Sequence, residues 1–86
     1  MENKILIKLI VPEINETFDV FIPVNEVTWK VKKMLVKCLN DVNNLNLDTN
    51  KNYTLIKKEN SRIYKNNEII IDTDIRNSTE LILLSE

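Results

Sequence analysis

Cys38 is the only thiol in the chain, and no histidine exists anywhere to activate it. A nucleophilic cysteine needs a base or a cationic neighbour to hold it as thiolate, so covalent catalysis starts without its usual partner. Asp72 and Asp74 stand two apart in "DTDIRNS". Two carboxylates without a third oxygen ligand at suitable spacing make a poor cation site, and capping a turn is the commoner use of such a run. One cysteine also excludes an internal disulfide and any cysteine-built metal or iron–sulfur site. No catalytic residue, cofactor or metal is therefore expected, and the chain does not read as an enzyme.

The amines come next. Lys30, Lys32, Lys33 and Lys37 form a basic stripe that RNA or an acidic protein would attract. Trp29 is the one aromatic among them, whereas single-strand binders line up several stacking platforms. A solvated helix face is the expected meaning, and nucleic acid is not an expected partner. With 12 basic residues against 13 acidic ones the net charge is −1, too small to steer the whole molecule to nucleic acid or an anionic membrane. The apolar runs at 69–71 and 81–84 are far too short to span a bilayer. The opening Met-Glu-Asn-Lys lacks the basic region and apolar core of a leader. A cytoplasmic location without membrane insertion is the expectation.

Hydropathy patterning supplies the elements that position these groups. In "ILIKLIV" (5–11), Ile5, Ile7, Leu9 and Val11 alternate with Leu6, Lys8 and Ile10, the period of a strand. "TFDVFI" (17–22) alternates likewise, and the two make a hairpin. Pro23 stops it. From 27 to 43 the spacing turns helical, with Val27, Val31, Met34, Leu35, Cys38 and Val42 on one face. Asn25 or Thr28 is placed to cap the start, and Cys38 becomes a small core residue with little reactivity. After the turn-rich "NNLNLDTNKN" come a strand at 53–58, a short one in "SRIYK", another at 69–71, a turn that drops Ile75 into the core, and a last strand at 81–84.

A chain of 86 residues with 43% hydrophobic and 29% charged residues makes one small soluble domain, residues 1–86. Two hairpin strands, a crossing helix and strands returning beside the first describe an α+β fold of the β-grasp type: a mixed four- to five-stranded sheet packed on one helix.

The whole length resembles ubiquitin-like proteins. "ILIK" and "TFDVFIP" resemble the first ubiquitin hairpin, "VTWKVKKMLVKCL" sits where the family helix sits, and Ile70, Ile75 and Leu81 keep the family's L-x4-I-x5-L spacing. Within that superfamily the chain is most similar to the YukD-type proteins of bacterial type VII secretion, which also end on an L-x-L-L-like strand. Their G-I-x-x-G-D before that strand is here Asp74-Ile75-Arg76-Asn77-Ser78-Thr79. The resemblance implies an accessory or regulatory component of such a secretion system, with a stand-alone adaptor for another assembly as the alternative.

Conjugated modifiers and sulfur carriers of this fold present a C-terminal Gly-Gly, whereas this sequence ends Leu84-Ser85-Glu86 and contains no glycine. A non-conjugating protein is expected, with modifier or sulfur carrier a remote option. Turns that demand positive φ must then use Asn or Asp, and Asn66, Asn67 and Asn77 are the expected substitutes.

What remains is surface. If Ile5, Ile7, Leu9, Phe18, Val20, Ile22, Leu55, Leu81 and Leu83 face the helix, then Leu6, Ile10, Phe21, Ile56, Ile82 and Leu84 face away. Adjacent first and last strands should bring Leu6, Ile56, Ile82 and Leu84 into one patch flanked by Lys8, and such patches mark binding sites. The family comparison places Ile56, Ile82 and Leu84 on the face ubiquitin-like domains use for partners. Protein partners, secretion components among them, or a second copy of the chain are the expected occupants. The alternative is a sheet whose apolar outer residues do nothing or are covered by a loop. Trp29, with Lys33 and Val36, is a secondary candidate. It is either an exposed anchor or a side chain folded back on residues 23–26, and we favour the second.

Overall fold

The computed structural model describes residues 3–86. Four strands and one helix follow in the order β1 (Lys4–Val11), β2 (Glu16–Pro23), α1 (Thr28–Asn43), β3 (Tyr53–Lys57) and β4 (Glu80–Ser85). The sheet order is β2-β1-β4-β3. β2 pairs antiparallel with β1, β4 runs parallel to β1, and β3 pairs antiparallel with β4. A mixed sheet with a helix laid across one face is the expected β-grasp arrangement. The parallel pair needs a long crossover, and α1 lies within it.

The alternation in β1 works as read. Ile7, Leu9 and Val11 are fully buried, and Ile22, Leu55, Leu81 and Leu83 join them from the other strands. Phe18 and Val20 pack against this core only partly.

The helix is rotated relative to expectation. Its buried residues are Thr28, Val31, Leu35, Val36 and Leu39, while Met34 and Val42 are exposed and Cys38 is a free, exposed thiol. The expected core role of Cys38 is therefore wrong. Leu35 and Leu39, one turn apart, define the core direction, and Val36, grouped with Trp29 and Lys33 as a surface candidate, is buried beside them. Neither Asn25 nor Thr28 caps the helix with a side chain; the cap position is Val27. The donors at the start of α1, which lack intrahelical partners, turn instead to the 66–68 segment. Thr28 N–H and Oγ1 both donate to Glu68 O at 2.8 Å, and Trp29 N–H donates to Asn66 O at 3.2 Å.

Two expected strands do not form as such. "SRIYK" contributes only an isolated bridge, Ile56 to Ile63. Residues Ile70–Asp72 make a single 3-10 turn, with Ile69 bridged to Val27. Thr73 Oγ1 donates to Ile70 O at 2.6 Å and accepts from Ile75 N–H at 3.2 Å. That clasp sends Ile70 and Ile75 inward, as expected for Ile75. Positive φ falls on Asn15, Asn44, Ser61 and Ser78, not on Asn66, Asn67 or Asn77. Ser78 at φ 72 adopts a conformation that favours glycine.

Candidate protein-interaction surface

The outer face of the sheet is organised in rows. In the parallel pairing Ile10 stands beside Ile82, Ile82 stands beside Ile56, and Ile56 bridges to Ile63. Four isoleucines thus cross from β1 to the far side of β3 in one line. Leu84, 42% exposed, lies two residues further along β4, next to Thr54. Ile63 is 62% exposed, and the other three isoleucines are half-buried. The adjacent row is entirely charged. Asp19 pairs with Lys8, Lys8 with Glu80, and Glu80 N-terminally borders the isoleucine line. Lys8 Nζ lies 3.3 Å from Asp19 Oδ1, and Lys58 Nζ lies 3.7 Å from Glu80 Oε2. Signs alternate across the whole sheet: Asp19, Lys8, Glu80, Lys58. Exposed pairs of this kind add little stability, but they give the apolar row a sharp border.

Of the residues expected in the patch, Ile56, Ile82 and Leu84 come together, and Lys8 stands beside them in the charged row. Leu6 does not join them. Its carbonyl accepts from Ser78 N–H at 2.8 Å and its strand partner is Phe21. Four positions along β1 separate it from Ile10, about 13 Å of strand, with the charged row between. Leu6 and Phe21, which is 67% exposed, form a separate apolar spot at the other end of the face. The expected continuity with Leu6 is corrected by the register.

Ile63 was not among the candidates, although it lies at the outer end of the line. Its two neighbours hold it there. Arg62 Nη1 and Tyr64 Oη both donate to Asp74 Oδ1, at 3.0 and 2.7 Å, and Lys57 Nζ donates to Asp74 Oδ2 at 2.9 Å. Arg62 Nη2 reaches Glu68 Oε2 at 2.9 Å. Backbone bonds from Lys57 N–H to Arg62 O (2.8 Å) and from Tyr64 N–H to Leu55 O (3.0 Å) complete the seat. Hydrogen bonds from Tyr64 first, then Lys57, pull the Asp74 carboxyl down to about 2. Burial first, then the bond to Asp74, pushes the Tyr64 phenol up. With Tyr64 buried and Arg62 tied down, the residue between them points outward. Asp74 is thus a structural clamp rather than half of a cation site. Among the described residues no group of three or more His, Cys, Asp or Glu is placed to hold a metal, and no helix is long and apolar enough to cross a membrane.

Trp29 is 44% exposed and lies beside Asn66, Lys32 and Lys33 along the flank of α1 that faces the β3 end, with Lys30 Nζ 5.6 Å from its ring centre. Lys33 is exposed beside it, while Val36 is buried at the base of the same flank.

This geometry has counterparts among solved structures. One chain of the MycP5-free ESX-5 inner membrane complex superposes with a TM-score of 0.78 at 11% identity, covering 98% of this chain and 21% of that one. The UBL domain of Plasmodium falciparum Dsk2 gives 0.72 at 16% identity, covering 96% and 99%. A ubiquitin-like domain of an Arabidopsis thaliana protein gives 0.70 at 13% identity, covering 96% and 78%. The fold is ubiquitin-like. At these identities the likeness concerns the fold alone, and this chain spans about a fifth of the ESX-5 chain it matches. No family model and no curated protein matches the sequence.

Proposed function

We propose that residues 1–86 act as one non-catalytic ubiquitin-like module that docks a partner protein on the outer face of its sheet, along Ile10, Ile82, Ile56 and Ile63 with Leu84. The single observation that carries this reading is that line of apolar side chains, bordered by a row of alternating charges. Burial of such a row stabilises a complex in proportion to its area, and the charged border fixes the partner's register and rejects mismatched ones. Lys8 contributes at that border and not in the apolar contact.

Residues 80–86 are held on the sheet, which fixes Ile82 and Leu84 in the docking face. β4 runs along the sheet to Ser85, Glu86 N–H donates to Asn52 O at 2.9 Å, and Thr54 Oγ1 donates to Glu86 Oε2 at 2.6 Å. The finer reading is a cytoplasmic accessory or regulatory component of a type VII secretion assembly. It is supported by the L-x-L-L-like strand and by the fold's recurrence in the ESX-5 inner membrane complex. A second copy of the chain is the other occupant that the same face admits.

The test is an outer-face variant, Ile82→Asp, assayed for partner binding and for self-association by light scattering, with circular dichroism as the control for folding. Loss of association with the fold retained supports docking on this face. Unchanged association removes the face from the binding site. For the secretion reading, disruption of the gene should impair export of the system's substrates, and unimpaired export would contradict it.

A further inference from the structure

A second surface lies on the flank of α1 away from the sheet's outer face. The first turns of the helix and the loop leading into β3 enclose a groove of about 780 Å³. Trp29, Lys33 and Lys37 recur every fourth residue and so form one ridge along it. Lys32 and Val36, three residues on from Trp29 and Lys33, lie beneath that ridge. Four lysines line the groove, Lys51 completing the set, against one carboxylate, Glu86. In a chain of net charge −1 this is a concentrated positive site.

Some of that charge is already engaged. Lys32 Nζ donates to Tyr53 O at 2.6 Å, and its desolvation lowers its pKa against the pull of Glu86. Lys51 pairs with Glu13 at 3.5 Å. Glu86 accepts from Thr54. Lys33 and Lys37 are exposed and, among the described residues, form no ion pair. Two uncommitted ammonium groups therefore stand in line with a half-exposed indole.

We propose that this groove binds an acidic peptide segment of a partner protein, with an apolar side chain of the segment on Trp29 and its carboxylates on Lys33 and Lys37. From Trp29 to Lys37 the ridge runs about 12 Å, the length of roughly four extended residues. Carboxylates at alternate residues of such a segment share one side, about 7 Å apart, and so reach successive turns of the ridge. The amides of Asn52 and Asn66 in the lining suit a peptide backbone. A single indole is a poor match for a nucleic acid strand, which stacks successive bases on successive rings. The site is separate from the outer sheet face and stands or falls apart from it.

The experiment uses the full chain as bait for a random peptide display library, and the selected peptides are then titrated while Trp29 emission is followed. Trp29 is the only tryptophan, so its emission reports this groove. Selected peptides should be rich in Asp and Glu around an apolar residue, should shift Trp29 emission, and should lose binding when their carboxylates become amides. The double variant Lys33→Gln/Lys37→Gln, which keeps good helix formers at exposed positions, should weaken binding about tenfold. Ile82→Asp should leave it unchanged. Failure to select acidic peptides, binding indifferent to the two lysine substitutions, or tighter binding of a single-stranded oligouridylate would each overturn the proposal.

Discussion

Ile10 is the direct partner of Ile82 in the parallel pairing of β1 with β4, and Leu6 is four residues out of step with both. That register turns scattered outward residues into one apolar line and one apolar spot, with a charged row between them. The line continues through Ile56 to Ile63, which lies outside the regular strands.

The orientation of α1 gives a paired prediction. Leu39 is buried and Met34 exposed, so Leu39→Ala should cost about 2–5 kcal/mol, whereas Met34→Ala should change stability by about 0.5 kcal/mol or less. Urea melts read both. In the native protein Cys38 should react promptly with a thiol reagent; protection until unfolding would return the helix to the rotation in which Cys38 is core.

These residues also mark what the sequence makes legible. Strict alternation in β1, β2 and β4 reveals which side chains face the helix, because a strand's period admits only two answers. A helix face is harder to read, since Met34, Cys38 and Val42 are apolar enough to imitate a core stripe while Leu39, a stronger hydrophobe, sits on the true one. The missed residue is Leu39, which continues the one-turn spacing of Val31 and Leu35, both on the expected face and both buried. Parallel register is not local at all: it depends on how everything between Val11 and Glu80 packs, so Leu6 and Ile10 cannot be told apart as neighbours of Ile82 beforehand. The pattern of "SRIYK" suggests a strand but names no partner for it, so it does not say which way Ile63 faces. Its placement comes from Asp74, whose clamp on Arg62 and Tyr64 has no sequence motif.

That clamp predicts an acid-sensitive stability. The Asp74 carboxyl titrates near 2 in the folded protein, below its ordinary 3.8, so its contribution is present above about pH 4 and is lost as the pH falls toward 2. Asp74→Asn should flatten this acid limb. Asp74→Ala, which leaves the buried Tyr64 hydroxyl without its acceptor, should cost about 1–3 kcal/mol at neutral pH. Denaturant melts at stepped pH values check both; an acid limb identical in Asp74→Asn would show that other carboxylates govern it.

Left-handed serines predict a gain. At Ser78 (φ 72) and Ser61 (φ 61) a side chain is tolerated at a steric cost that glycine avoids. Ser78→Gly should raise stability by up to about 1 kcal/mol, the relief partly offset by a looser unfolded chain. Ser78→Val should lower it by at least about 1 kcal/mol, because a β-branched residue resists positive φ most. Thermal midpoints in the order Gly above Ser above Val are expected, and the reverse order would contradict the turn's geometry.

Docking on the outer sheet face is tested most directly by comparing the proteins retained, under native conditions, by the wild-type chain and by a folded Ile56→Asp/Ile82→Asp variant, quantified by mass spectrometry. The apolar row predicts that one or a few partners are lost from the variant while they persist with Lys33→Gln/Lys37→Gln. An identical set of partners on wild type and outer-face variant would contradict it.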